Sequence, residues 1–164
     1  MHKFTVMSLF AAMAACGTAL AAQDAGAPTL TLAASEEFGP YVLGPDGRPV
    51  YAMLTELKIG DGQDALQSCE VTCRDNWPVL IVDGDVTVGD GLDAAMADTL
   101  DWRGRKVAQY GDQPLFQFYR DQPGEEPQGQ GVFSFGGYWA LLTPEGKTLR
   151  TDTMPEQDET ADPD

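Results

Sequence analysis

Cys69 and Cys73 are the residues of this chain best suited to covalent chemistry, and their surroundings bear on which chemistry it is. Four positions apart on a helical turn, their Cα atoms fall about 6 Å apart, near the upper edge of what a disulfide spans. Closing the bond there implies some distortion, and a distorted disulfide is more easily reduced, which is the case for a redox-active pair. The spacing is not the C-x-x-C of thioredoxin-like sites, however. Glu70 and Asp75 raise a thiolate's pKa, with only Arg74 opposing them. A structural disulfide is the leading reading, ahead of redox work and metal ligation. A structural zinc site lacks its third and fourth soft ligands, so no metal is assigned.

Other chemistry is sparse. The single histidine is His2. Once a cleaved leader carries it away, no mature Ser or Cys nucleophile has its usual base, and histidine metal sites and acid–base schemes go with it. Carboxylate pairs suit glycoside hydrolysis, but among 26 acidic residues no pair stands out, so an enzyme is not expected and no cofactor is implied. The Asp-Gly clusters at Asp61-Gly62-Gln63-Asp64, Asp83-Gly84-Asp85 and Asp90-Gly91-Leu92-Asp93 suggest calcium. None has the D-x-D-x-D-G register with a distal Glu, and turn chemistry accounts for them better. A formal charge of −16 argues against nucleic acid and anionic lipid as partners.

The elements that position these residues are β-like. Tyr41-Val42-Leu43, a turn at Gly44-Pro45-Asp46-Gly47 and Arg48-Pro49-Val50-Tyr51-Ala52-Met53 form a hairpin pattern. Leu43 to Val50 matches Leu142 to Leu149 as L-x-P-acid-G-base-x-aliphatic, and Tyr110 to Phe118 is a partial third copy, so an internally duplicated hairpin is expected. Further strands are predicted at Val79–Val82, Val86–Val88, Arg105–Tyr110, Val132–Phe135 and Tyr138–Leu142. Asp93 caps a predicted helix over Ala94–Leu100, and a helical turn or so is expected from Cys69 to Asn76, stopped by Pro78. The fold class is mainly β: one small domain of related hairpins with one or two short helices and one disulfide.

The ends read differently. Residues 1–21 form a signal peptide, with a basic start at Lys3, an apolar stretch from Phe4 to Ala15, and Ala19-Leu20-Ala21 as a small-x-small cleavage site. Met13-Ala14-Ala15-Cys16 is a competing loose lipobox, whose Cys16 would carry a lipid anchor. Residues 22–29 read as a flexible leader, 30–150 as the β-rich domain, and 151–164 as a disordered acidic tail whose only large apolar residue is Met154.

Several segments together carry a resemblance. They are Tyr51-x-Met53; Cys69-x-x-x-Cys73 followed by Trp77-Pro78; Phe116-Gln117-Phe118-Tyr119-Arg120-Asp121; and Gln128-Gly129-Gln130-Gly131 running into Gly137-Tyr138-Trp139. In this order they resemble the bacterial "secreted repeat of unknown function" lipoproteins, whose hallmark is an aromatic-x-aromatic-x-x-Asp motif. The likeness spans Phe38 to Lys147. The copy at Phe116, Phe118 and Asp121 has Phe where Tyr is usual. The copy at Tyr51, Met53 and Glu56 has Met for an aromatic residue and Glu for Asp. The resemblance implies an exported envelope domain, often lipid-anchored, with no established activity.

Alternation puts Phe116 and Phe118 on a core face with Gln117 opposite, and leaves Asp121 at the strand end. There its carboxylate can accept N–H bonds from the Gly129–Gly131 loop. Trp77, Trp102, Phe133, Phe135, Tyr138 and Trp139 are expected mostly in the core. Tyr119, of opposite parity, is expected exposed. The expected function is an exported, periplasmic or secreted, non-catalytic domain that binds an unknown protein or envelope component, with membrane contact only through Cys16. The alternatives are a thiol–disulfide or electron-transfer accessory using Cys69 and Cys73, and a carboxylate-based calcium-binding envelope protein.

Overall fold

The computed structural model describes residues 26–55, 63–152 and 154; the segment read as a signal peptide, Cys16, Glu56 and most of the acidic C-terminal stretch lie outside them. The chain is mainly β. In order it runs through strands β1 (Thr29–Ser35), β2 (Gly39–Leu43) and β3 (Tyr51–Thr55), then helices α1 (Asp64–Ser68) and α2 (Val71–Asn76). Next come β4 (Ile81–Val82), β5 (Thr87–Val88), a 3₁₀ turn (Ala94–Met96), β6 (Ala97–Trp102), β7 (Arg105–Tyr110), β8 (Gln113–Pro114), β9 (Phe133–Ser134) and β10 (Gly137–Leu141).

These strands make three small sheets, ordered β2-β1-β5, β3-β10-β9 and β4-β7-β6, with β8 added to β7. All pairings are antiparallel except β1 with β5. Cross-sheet hydrogen bonds join them: the Val42 amide donates to the Leu142 carbonyl, and Tyr51 and Phe116 exchange both backbone bonds.

Consecutive residues of the central strands face two different cores. Tyr51 and Met53, Val107, Phe116 and Leu141 enter one core with Leu66, Trp77 and Trp139. Their neighbours Val50 and Ala52, Ala108, Leu115 and Leu142 enter the other, with Leu30, Val42 and Tyr110. Strands buried on both faces have near-continuous apolar sequences, which is how Val50–Met53 and Ala140–Leu142 read.

The duplicated Pro-acid-Gly pattern folds the same way twice. Gly44 N–H bonds Arg48 O and Gly47 N–H bonds Gly44 O; Thr143 N–H bonds Lys147 O and Gly146 N–H bonds Thr143 O. The partial third copy turns differently, through a two-residue turn at Gly111-Asp112 (φ 59° and 62°). Its Phe116 pairs directly with Tyr51, so the two aromatic motif copies face each other across an antiparallel contact.

Two local expectations change. Asp93 does cap, its Oδ1 accepting the Ala95 amide at 2.9 Å, but the helix ends after one 3₁₀ turn and the chain continues as β6. Six register pairs with β7 outweigh the helix preference of an Ala-Ala-Met-Ala run. The segment around the cysteines is two helices with a corner between them. Cys69 is the C-cap of α1 with φ −89° and ψ 86°, Glu70 is extended, and Cys73 lies within α2. That corner brings the two Cα atoms to 5.1 Å, and the disulfide is closed.

Candidate functional site

The aromatic motif residues converge in the first core. Trp77 stacks on Trp139 at 4.1 Å between ring centres with planes 4° apart, and on Phe118 at 4.3 Å on its other side. Tyr51 meets Trp77 edge-on, and Phe116 meets Trp139 edge-on. Both indole N–H groups donate to one acceptor, Ser134 Oγ, at 3.2 and 3.1 Å. That shared bond ties the β9–β10 hairpin to the segment leaving α2. Pro78 hands the chain on, its carbonyl accepting the Gln117 amide.

Inside this cage lies a buried polar node. Tyr51 OH donates to Asp121 Oδ2 at 2.6 Å, the Gln128 amide donates to Asp121 Oδ1 at 2.9 Å, and the Gly129 amide donates to Tyr51 OH at 3.2 Å. Asp121 thus takes its loop donor from Gln128, one residue before the glycine segment, while Gly131 N–H bonds the Trp139 carbonyl. Glycine is required at 129: a Cβ there would sit 2.8 Å from both Trp77 and Tyr51 ring atoms. Burial raises the Asp121 pKa, against the lowering pull of the Tyr51 and Gln128 bonds and of Arg48. Burial and the Asp121 carboxylate push the Tyr51 phenol far above its usual value. Every polar atom of the node has its partner and the loop closes over it. It is suited to holding the two motif copies together.

The departures from the motif make sense here. Tyr51 belongs to one copy and Asp121 to the other. The symmetric counterpart of their bond would need a hydroxyl at Phe116 and the carboxylate of Glu56, which lies outside the described residues.

Gln117, on the face opposite Phe116 and Phe118, is buried beside Asp46 and Arg48. Gln117 Nε2 donates to Asp46 Oδ1 at 2.7 Å, Arg48 donates through Nε to Asp46 Oδ2 at 2.7 Å, and Arg48 Nη2 donates to Gln117 Oε1 at 2.6 Å. Burial raises the Asp46 pKa, but the Arg48 and Gln117 bonds together bring it below the usual carboxylate range. This closed triangle locks the first Pro-Asp-Gly turn onto the second motif copy.

The Asp-Gly turns are used locally: Asp85 takes Lys106 Nζ at 2.9 Å and Asp93 caps the 3₁₀ turn. Among the described residues, no group of three or more His, Cys, Asp and Glu side chains is placed to hold a metal. Nor is any helix among them long and apolar enough to cross a membrane.

An open feature of the described residues lies elsewhere. A cleft of about 510 Å³ is lined by Gln67, Ser68, Glu70, Val71, Thr72, Cys73 and Phe135. Val71 is 78% exposed and Phe135 41%, and Phe133, in the same hairpin, is 62% exposed. Both Phe133 and Phe135 were expected in the core; instead the turn carries them outward, Phe133 resting against Tyr138 at 4.8 Å. Phe135-Gly136 forms a two-residue hairpin turn with φ 54° and 82°. Such a turn favours Asn, Asp or Gly first, because a bulky residue is strained at positive φ. A phenylalanine held there, half in water, is a local conflict of the kind found at functional sites. The sequence signal was Phe-Gly where Asn-Gly or Asp-Gly would be the usual hairpin dipeptide.

Cys73 forms part of the cleft wall but is 2% exposed, and Cys69 is fully buried. Tyr119 is exposed as expected; its ring lies under the Arg120 guanidinium at 5.1 Å and its hydroxyl accepts from Arg120 Nε, and it does not line the cleft. No protein-family model, no curated protein and no solved structure matches this chain.

Proposed function

We propose that this is an exported, non-catalytic binding module of the bacterial cell envelope, and that it recognises an extended, apolar segment of a partner protein at the cleft beside Cys69–Cys73. Export is read from the signal-like N-terminus, and envelope residence from the resemblance to the secreted-repeat lipoproteins; an anchor at Cys16 would put the same cleft on a membrane face. The observation that carries the binding role is the pairing of Val71 and Phe135, two apolar side chains left in water across one cleft, with Phe135 in a backbone conformation that disfavours it. The cleft's volume lies within the roughly 300–1,000 Å³ range of ligand pockets. An apolar side chain of the partner fits between Val71 and Phe135. Its backbone then meets the polar rim of Gln67, Ser68, Glu70 and Thr72.

Selection of displayed random heptapeptides against the purified protein tests this. Enriched peptides should share an apolar residue and bind the Val71→Ser/Phe135→Asn variant at least tenfold more weakly. Peptides that bind both proteins alike would overturn it. A thiol–disulfide role has one observation in its favour, that Cys73 lines this cleft. It requires a partner thiolate to reach a nearly buried sulfur next to Glu70, so slow reduction by glutathione in the folded protein is the expected result, and rapid reduction would move this reading ahead.

A further inference from the structure

With 26 acidic and 10 basic residues, each guanidinium of this chain has carboxylates in excess to choose from. Arg48 pairs with Asp46 and Lys106 with Asp85. Among the described residues, Arg74, Arg103, Arg105, Arg120 and Arg150 have no carboxylate oxygen within ion-pair reach, and Arg74 and Arg103 are the two of these that meet at one place. Both instead lie against one indole: the Arg74 guanidinium carbon is 5.9 Å from the Trp102 ring centre and that of Arg103 is 5.2 Å away. Arg74 comes from α2, through which it also donates Nη2 to the Leu66 carbonyl at 2.7 Å. Trp102 and Arg103 come from the tip of the β6–β7 hairpin.

Three features of this cluster are unfavourable as they stand. Arg74 Nε and Trp102 Nε1 are buried donors with no hydrogen-bond partner among the described residues, and leaving a buried donor unpaired is costly. The two cations repel: burial and then the Arg103 charge lower the Arg74 pKa, against the raising pull of Glu70. Arg103 also occupies φ 51° at the first position of the Arg103-Gly104 turn, where a long side chain is disfavoured. One bound anion relieves the first two and gives the third a purpose.

We propose that Arg74, Trp102 and Arg103 form a binding site for a small carboxylate anion. A planar carboxylate matches the guanidinium fork and can take a second bond from an indole N–H. Arg103, exposed and lying over the Trp102 ring, supplies the outer guanidinium of the site. The net charge of −16 repels polyanions, which selects a small ligand over nucleic acid or an acidic protein surface. The carboxylate comes from a free organic acid or from the C-terminus of a peptide. The site shares no residue with the cleft lining, and its test is independent of the cleft.

The test is a titration of ¹⁵N-labelled full-length protein with sodium malonate, against sodium chloride at matched ionic strength. The readout is the Trp102 indole N–H resonance, assigned by its loss in Trp102→Phe; the Trp77 and Trp139 N–H groups, both bonded to Ser134, are internal controls. A saturable shift of Trp102 alone is expected, weakened at least tenfold by Arg103→Gln. Arg74→Lys, which keeps the charge but loses the fork, should weaken it as well. A shift that chloride reproduces, or saturable binding unchanged in Arg103→Gln, overturns the site. Short peptides with free and amidated C-termini form a second arm. Binding that depends on the free terminus assigns the peptide source, and malonate binding with no such difference assigns the free acid.

Discussion

Two regions of this molecule hold residues that look functional, and they are built in opposite ways. At Tyr51, Asp121 and Gly129, chemically capable groups are buried, fully paired and sealed by a glycine that admits no side chain. At Val71 and Phe135, chemically inert groups face water, one of them in a strained turn. The polar node is satisfied by the protein itself and so stabilises the fold. The apolar pair is left in water, which is why a partner is proposed there. Chemical reactivity by residue type is therefore a poorer guide here than the question of what each group still lacks.

The sharpest way to break this contrast is to damage the node and look at the cleft. Tyr51→Phe removes a hydrogen bond to a carboxylate and leaves the buried Gly129 N–H unpaired, so a loss of about 3 kcal/mol is expected in urea denaturation. Peptide binding at the cleft should be unchanged in the fraction that folds. A loss below 1 kcal/mol, or selective loss of peptide binding, would mean that the node is more than architecture.

Next in size is the staple between the regions. Cys69→Ala/Cys73→Ala should cost about 2 kcal/mol, as the chain-entropy relation gives for so short a loop. It should also loosen the α1–α2 corner that forms one wall of the cleft. Unchanged stability would remove the structural role and leave exchange chemistry as the reason for the pair.

Acidification separates two carboxylates within the fixed framework. Because the folded pKa of Asp121 is raised, its ionised form opposes folding; stability rises as pH falls through that pKa toward the ordinary value near 4. Asp46 has the opposite sign: its stabilisation is present above the ordinary value and is lost as pH falls through its lowered folded pKa. Relative to Asp121→Asn, the wild type should gain stability between pH 7 and about 4.5 in urea melts. A difference that stays flat over that range would mean that burial does not disfavour the Asp121 charge.

How much of this could be read from the sequence differs between the two regions for a physical reason. The Pro-acid-Gly turns were legible because proline and glycine fix φ locally, and the disulfide because its partners lie four residues apart. Asp121 was placed near its loop donors, but its strongest partner, Tyr51, lies 70 residues away and no local pattern links them. The partners of Gln117 were out of reach for the same reason, since Asp46 and Arg48 are 71 and 69 residues distant. Residues 97–100 read as helix because their pairing with β7 is invisible to propensity. Phe133 and Phe135 read as core because apolar type says nothing about a turn that points them outward.

The smallest expected effect has the opposite sign to the others, and for that reason it discriminates best. Phe135→Asn places at φ 54° a residue that tolerates the left-handed region, in the Asn-Gly dipeptide that two-residue hairpins favour. The ring is 41% exposed and its loss forfeits the burial it has, but relief of about 1–3 kcal/mol of backbone strain exceeds that, so stability should rise by about 0.5–1 kcal/mol. The same change removes one wall of the cleft and should weaken selected peptides at least tenfold. A protein that becomes more stable as it loses binding has kept a disfavoured residue for its partner's sake. If Phe135→Asn instead destabilises by more than 1 kcal/mol, the ring belongs to the folding core, and the contrast between a closed node and an open cleft does not hold.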